Sequence, residues 1–472
     1  MNLIIQIVTE TAAGQQIQEI SRLEREESCL ENIGMTLREG KTLLAAIQKR
    51  MVEEQIGEYL AERRTCAHCG KIRGLKSTHS LTFQTLFGNL KLASPRWKHC
   101  GCEANDTRTF SPLVELLADH VSPERLYLET KWGSLMAFEL TANLLKDTLP
   151  IAETVNASTV RNHLHRVAQR SEDGLGEEQG SFIEGCPREW AALPRPPAPL
   201  TVGIDGGYVR QWDDKKTHFE VIVGKSIPEE GPACRFAFVQ TYDEKPKRRL
   251  FEILKSQGMQ NNQQVVFLSD GGDDVRGVQM YLNPEAEHYL DWFHITMRIT
   301  VMKQMAKGLP AAAAAAAEGE RTGKARKDVE EKIQSLKWNL WHGNVCRALE
   351  RIEELECELE SREESENRTK LRKALREFRG YIEANRAFIP NYGERYRNHE
   401  RISTAFVESA VNQVISKRMV KKQQMQWSKK GAHLLLQMRT KVLNNELEQM
   451  FREWHPNFRS TTCTAEEQRG AA

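Results

Sequence analysis

Two apolar runs share one ending. Thr201-Val-Gly-Ile-Asp205-Gly-Gly and Val265-Val-Phe-Leu-Ser-Asp270-Gly-Gly each read as a short strand that stops at an aspartate followed by two glycines, and far downstream Glu408 opens a helix. A carboxylate at the end of a buried strand is held rigidly, and paired glycines let backbone or nucleic acid approach where a side chain would obstruct them. Hard cations such as Mg²⁺ or Mn²⁺ take oxygen ligands and keep several waters, so two or three carboxylates plus a substrate phosphate complete a site. Two such ions, about 3.5–4 Å apart, activate the attacking oxygen and stabilise the leaving oxygen of an in-line phosphoryl displacement. The chemistry expected of Asp205, Asp270 and Glu408 is the cutting or joining of a phosphodiester. An Asp-Gly alone marks only a turn. Asp273 and Asp274 compete with Asp270, but they fall where a helix begins and read as N-terminal caps.

Four of the ten cysteines are grouped. Cys66-Ala-His-Cys69 and Cys100-Gly-Cys102 are tight thiolate pairs, and Leu81 to Leu92 between them reads as two strands around a Gly88-Asn89 turn. Two knuckles joined by a hairpin bring four sulfurs to a tetrahedral Zn²⁺, the arrangement of a zinc ribbon. The one-residue gap of the second pair is tighter than the usual spacing; the alternative is four unrelated thiols. The other six cysteines are scattered, as free thiols in a reducing compartment are.

The elements that must position these groups follow from the remaining pattern. Trp132–Leu145 reads as one helix, Pro150 as a break, and the run from Ser158 to Arg170 as a second helix, capped by Ser158 or Thr159 and with Val160, Leu164 and Val167 on its apolar face. Arg161, Asn162, His165 and Arg166 lie opposite, residue types that reach phosphates and base edges from a helix in the major groove. A helix-turn-helix and a small bundle with a solvated basic face both fit. The proline-rich stretch 171–199 reads as a linker. Beyond it come strands at Thr201–Asp205, His218–Val223 and Arg235–Thr241, a helix at Lys247–Gln257, a strand at Val265–Ser269, a helix at Asp273–Leu282 and a strand at His288–Leu290. That is the element order of a ribonuclease H-like core. Most of the stretch from there to Glu408 reads as helix, with apolar stripes at Ile352, Leu355 and Leu359 and at Leu371, Leu375, Phe378 and Ile382. Trp338 and Trp341 read as core, and Ala311–Ala317 as a connector.

The fold class expected is multidomain α/β: a ribonuclease H-like catalytic core with an all-α insertion, preceded by a zinc ribbon and a helix-turn-helix. The divisions expected are an N-terminal helical region at 1–64, the ribbon at 65–110, the helix-turn-helix at 111–170, the linker, a core formed by 200–300 with 400–445, the insertion at 301–399 and a tail at 446–472. A length of 472 residues suits about three domains. Hydrophobic content of 40% with 28% charged residues is ordinary for a soluble protein. No apolar run approaches a membrane span and the N-terminus lacks the basic flank of a signal peptide, so a cytoplasmic protein is expected. The net charge of +2 hides a local bias. From Ser409 to Asn445 Lys417, Arg418, Lys421, Lys422, Lys429, Lys430, Arg439 and Lys441 are interrupted by no acid.

Ile204-Asp205-Gly-Gly-Tyr-Val-Arg, Leu268-Ser-Asp270-Gly-Gly-Asp-Asp-Val-Arg276, Tyr289-Leu-Asp291-Trp-Phe-His294 and Glu408-Ser-Ala-Val-Asn412 resemble the successive motifs of DDE-class bacterial insertion-sequence transposases, most closely the ISKra-like group. The resemblance runs on through Arg418 to Arg439, including Trp427 and His433, and covers most of the chain from Thr201 to Leu443. It implies that Asp205, Asp270 and Glu408 bind catalytic Mg²⁺ or Mn²⁺, and that Asp291 and His294 form a functional D-x-x-H pair. The activity implied is hydrolysis at the end of a mobile element and attack of the exposed 3′-OH on target DNA, by a homo-oligomer that pairs two ends. Lys417, Arg418, Lys421, Lys422, Trp427, Lys429 and Lys430 are expected to hold DNA backbone, and the N-terminal modules to read the terminal repeats. A non-mobilising nuclease of the same fold and an inactive DNA-binding protein are the alternatives.

Overall fold

The computed structural model of the chain describes residues 2–11, 14–25, 29–102, 108–180, 182, 185–194, 196, 198–214, 216–272, 286–309, 319–361, 364–420 and 426–460. Asp273 and Asp274 with their expected helix, the alanine tract, Lys421, Lys422 and Cys463 lie outside the described residues. The chain is mixed α/β and forms two compact units, Met1–Arg170 with Lys441–Ala472, and Ser171–Thr440.

The first unit opens with an antiparallel hairpin, β1 (Asn2–Thr11) and β2 (Gly14–Glu24), where helix was expected. Ile4, Ile5, Ile7, Val8, Thr9 and Thr11 supply the β-branched side chains that favour an extended chain. Helix begins only at α1 (Leu37–Arg64), where Thr36 Oγ1 accepts the Glu39 N–H at 3.2 Å and Glu39 Oε2 accepts the Thr36 N–H at 2.9 Å. A second hairpin, β3 (Leu75–Thr85) and β4 (Gly88–Lys98), is joined by the short β5 (Thr109–Phe110). Its turn is Leu86-Phe87, two residues earlier than expected: Thr85 Oγ1 accepts the Phe87 N–H, and Gly88, at φ +127°, starts β4. Leu81, Leu90 and Leu92 bury against Val52 of α1 and Leu113 of α2 (Pro112–Leu116).

Three helices follow, α3 (Pro123–Leu135), α4 (Phe138–Thr148) and α5 (Ala157–Asp173). The helix expected over Trp132–Leu145 is therefore two, broken at Met136. The break turns Phe138 back onto Gly133, which has no Cβ to occupy the space beside Val160 and Leu164. The cap of α5 is Asn156, whose Oδ1 accepts the Thr159 N–H at 3.1 Å; neither Ser158 nor Thr159 fills that role. The expected C-terminal tail includes a packed helix, Leu447–Trp454, with Phe451 edge-on to Tyr127 at 5.5 Å between centroids. Leu447, Met450 and Phe451 recur at helical spacing and are buried.

In the second unit the expected linker carries a short helix, α6 (Pro187–Ala191), and buries Phe182, which stacks on Phe251 at 5.0 Å. A five-stranded sheet of β6 (Leu200–Arg210), β7 (His218–Ile227), β8 (Cys234–Val239), β9 (Val265–Ser269) and β10 (Ala286–Leu290) has the order β10-β9-β6-β7-β8. β6, β7 and β8 are antiparallel neighbours; β9 and β10 run parallel to β6. One face packs Val202, Ile204, Phe236, Phe238 and Phe267 against Leu250 and Leu254 of α7 (Pro246–Ser256). Asp205 does not end its strand. β6 continues through Gly206 and Gly207 to Arg210, pairing Asp205 with Val223 and Gly207 with Val221, because β7 offers a matching partner along that length.

A helical layer follows the sheet: α8 (Trp292–Lys307), α9 (Gly319–Trp341), α10 (Val345–Glu360), α11 (Glu366–Ala384) and α12 (Tyr392–Arg397). Ile295, Ile299, Ile333, Leu336, Ile352, Leu355, Leu371, Leu375 and Phe378 form one core. Trp341 packs beside Trp292 and Tyr396. Trp338, expected in the core beside it, is 52% exposed and stacks on His342, since it lies on the helix face opposite the buried Ile333, Leu336 and Leu340. The chain then returns to the sheet through α13 (Ala405–Val411), a π-helical segment (Asn412–Val420) and α14 (Lys429–Leu443). Among the described residues no helix is long and apolar enough to cross a membrane.

Candidate functional site

Asp205 lies mid-strand on β6, and Asp270 follows β9, its parallel neighbour. Asp270 Oδ1 accepts the Gly272 N–H at 3.1 Å, and its carbonyl accepts the Tyr381 hydroxyl of α11 at 3.0 Å. Gly271 has φ +88°, and a Cβ there would stand 2.3 Å from Asn385 Oδ1, so only glycine lets the chain pass under α11. The helical layer thus positions Asp270. The pKa of Asp205 is raised, first by burial and further by repulsion from Asp270 and Asp291, against the Gly206 N–H at 2.8 Å and the charge of His294.

Asp291, fully buried, joins three elements. Its Oδ1 accepts the N–H groups of Phe293 at 2.9 Å and Thr404 at 3.0 Å; its Oδ2 meets His294 Nδ1 at 2.8 Å and the Thr404 hydroxyl. With both oxygens committed, Asp291 positions its neighbours and has no lone pair directed at a metal. The bond to Nδ1 leaves His294 Nε2 on the opposite edge of the ring. The pKa of His294 is raised, chiefly by the hydrogen bond to Asp291 and also by the charges of Asp291, Asp205 and Asp270, against its burial. Thr404, whose link to Asp291 the motif reading missed, stands at the N-terminus of α13 without a side-chain cap bond, and its carbonyl accepts the Glu408 N–H at 3.2 Å. One hydrogen-bonded path therefore runs from His294 through Asp291 and Thr404 to the backbone of Glu408.

Glycines set how α13 meets the sheet. Residues 203, 205 and 207 share one face of β6. A Cβ on Gly203 would lie 2.2 Å from Val407 Cγ2 and 2.6 Å from the Phe406 ring, and one on Gly207 2.7 Å from Ile415 Cδ1. α13 and the π-helical segment thus lie flat on the strand on either side of Asp205. Glu408 is exposed on α13. The oxygens of Asp205, Asp270 and Glu408 are not all within 4.8 Å of one another, and the charges of Asp205, Asp270, Asp291 and His294 act on one another in one electrostatic neighbourhood.

The sulfurs of Cys66, Cys69, Cys100 and Cys102 all lie within 4.8 Å of one another, with Cys66–Cys102 at 3.5 Å and Cys69–Cys100 at 3.3 Å. A tetrahedron with bonds of about 2.3 Å spaces its sulfurs by roughly 3.8 Å, so this donor set fits a thiophilic ion. On α5, Arg161, Asn162 and Arg166 are exposed and His165 half-buried; Arg166 donates to the Asp119 carbonyl at 3.2 Å. The opposite face of α5 is tied down by His163, which meets Glu129, itself paired with Arg125 at 2.9 Å.

Two of the expected DNA-contacting residues are internal. Arg418 is fully buried with its guanidinium 5.1 Å over the Trp427 ring, and burial, then Arg439, lowers its pKa. Trp427 is 3% exposed and pairs its backbone with Arg210 and Trp212 at the end of β6. Both serve the packing of the chain after α13, where apolar neighbours draw them inward. Arg439 is likewise internal, bonding the Val414 carbonyl at 2.9 Å. Lys417 and Lys430 are exposed and Lys429 half-buried. A second acidic group, Glu172, Asp243 and His433, is compact enough for a metal. Arg249 fills it, at 2.8 Å from Glu172 and 2.9 Å from Asp243, and so does a cation's work there. Comparison with models of known protein families gave no match, and comparison with curated proteins gave none.

Proposed function

We propose that the chain is a DDE-class DNA transposase, which cleaves phosphodiester bonds at the ends of an insertion sequence and joins the 3′-OH to target DNA. The observation that carries this reading is the half-buried Asp205, raised in pKa beside Asp270 and His294, on the central strand of a sheet ordered β10-β9-β6-β7-β8. Three antiparallel strands followed by two parallel ones is the pattern of a ribonuclease H-like core. Excess negative charge around a half-buried carboxylate suits a divalent cation. Asp205 and Asp270 would hold Mg²⁺ or Mn²⁺, which when bound supplies a polarised oxygen nucleophile and charge neutralisation at phosphate. His294, whose pKa the hydrogen bond to Asp291 raises, would present Nε2 to a phosphate oxygen. Thr404 and Asp291 fix the helix that carries Glu408, whose carboxylate closes the site as DNA enters. The four cysteines would hold a structural Zn²⁺, and α4 with α5 would read the element's terminal repeats in a helix-turn-helix manner. Two ends cut together require a second copy of the chain.

The test is incubation of purified protein with labelled element-end DNA and a target plasmid, with Mg²⁺ or Mn²⁺ against EDTA. Metal-dependent joined products that vanish in Asp205→Asn and Glu408→Gln are expected. Nicks without joining would mark a non-mobilising nuclease, and binding with neither product a DNA-binding protein.

A further inference from the structure

Two cations flank one ring beside Asp205, and a third lies across the sheet from one of them. Lys225 of β7 lies directly across from Gly203 on one side and from Arg235 of β8 on the other, so both cations project from the sheet face on which α13 rests. Arg401 approaches from the segment before α13. Phe406 stands between them: Lys225 Nζ is 6.0 Å and Arg401 Cζ 5.6 Å from its ring centre. Phe406 also packs against Gly203, two residues before Asp205 on the same strand, a distance of about 7 Å along the sheet.

Among the described residues, partial burial first and then the positive charges of Arg235 and Arg401 lower the pKa of Lys225. Gathering like charges is unfavourable in a partly desolvated setting, and a bound anion relieves it. Arg401 is exposed while Lys225 and Arg235 are half-buried, so the cluster forms an open shelf and does not enclose a small anion. A shelf of spaced cations beside an aromatic ring matches a strand whose charges repeat along a backbone. The contiguous basic run cannot supply this alone, since Arg418 and Arg439 are internal.

We propose that Lys225 and Arg401, on either side of Phe406, with Arg235 across the sheet from Lys225, bind phosphodiester groups of a DNA strand that passes Asp205 and Asp270. This rests on the reading of the protein as a DNA strand-transfer enzyme and assigns the surface that holds the strand. The full chain is titrated against a labelled oligonucleotide in EDTA, so that catalytic metal plays no part, at several chloride concentrations. Lys225→Gln with Arg401→Gln should weaken binding about tenfold and flatten the slope of log affinity against log salt by about 1.5. Lys225→Arg should keep the wild-type slope. Arg401→Gln alone, at an exposed position that leaves the fold intact, should lower the slope by about 0.8.

A wild-type slope and affinity in both the double variant and Arg401→Gln would overturn this site and leave the enzymatic reading standing. A wild-type protein that binds no DNA would overturn both. Displacement of DNA from wild type, and not from the double variant, by inorganic phosphate at matched ionic strength would assign the shelf to a free anion and overturn the strand.

Discussion

Burial and two neighbouring carboxylates raise the pKa of Asp205, and the sign of that shift is a statement about stability. As pH rises from 3.8, the ordinary value, through the raised folded value, the folded protein keeps a proton that the unfolded chain has released. Stability falls across that window and stays lowered at neutral pH. Asp205→Asn should therefore melt higher than wild type at pH 7 without metal, and the two should converge near about pH 3. Added Mg²⁺ or Mn²⁺ should raise the wild-type melting temperature and leave the variant unmoved; equal shifts in both would place the ion elsewhere. Thr404 makes a different argument at the same scale. Thr404→Val removes the hydroxyl bonded to Asp291 and leaves the N–H bond in place. A loss of about 1–2 kcal/mol is expected by urea unfolding, for one buried hydrogen bond to a charged group. Strand cleavage should fall more than tenfold while DNA affinity is kept, and Thr404→Ser should restore it. Equal cleavage by the valine and serine variants would reduce the Thr404 hydroxyl to a packing role.

At the scale of elements, the contact between β6 and α13 is decided by missing side chains. A methyl group at Gly203 meets the body of Val407 and the Phe406 ring, whereas at Gly207 it meets only the end of Ile415. Gly203→Ala should lower stability by about 1–3 kcal/mol through overpacking, more than Gly207→Ala, and should impair cleavage by shifting the helix that carries Glu408. Urea midpoints of the two variants compare directly, and a smaller effect at 203 would mean that α13 rides loosely on the strand. How far such features can be read from sequence follows from what creates them. β9 was legible to the residue, because Val265 to Ser269 is an unbroken buried run. The end of β6 was not, since Gly206 and Gly207 look like a turn until β7 pairs with them. Asp205, Asp270, Asp291 and His294 could be picked from local motifs, and the structure brings those four together. Thr404 could not, because its partner lies 113 residues away and a lone threonine carries no local signal. Likewise the basic run predicts charge without telling which cations turn inward, and Arg418 does.

For the whole molecule, the chain divides so that the cysteine cluster and the acidic pocket fall in different compact units. The C-terminal helix Leu447–Trp454 belongs to the unit with the cysteines, where Phe451 and Phe458 cover Tyr127, so that unit is closed by residues from both ends of the chain. The end of the chain reads as a tail in the sequence alone, since its apolar stripe is short and its partners are remote. The cysteines come in two pairs: Cys66 and Cys69 follow α1 and precede β3, while Cys100 and Cys102 follow β4. An ion held by all four would clamp the β3–β4 hairpin to the end of α1, and its binding energy becomes folding energy of that unit. Removing zinc with a strong chelator, or substituting Cys69→Ser, should then lower one calorimetric transition by about 10 °C or more, as expected for the loss of several kcal/mol from a unit of this size. The second transition should stay in place, and with it the metal-induced shift attributed to Asp205. Elemental analysis should find one zinc per chain in wild type and less than half in the variant. A zinc-free wild-type protein with unchanged transitions would mean that the four thiols are held together by the fold alone, and the separation of the two units would then have to be tested through the acidic pocket.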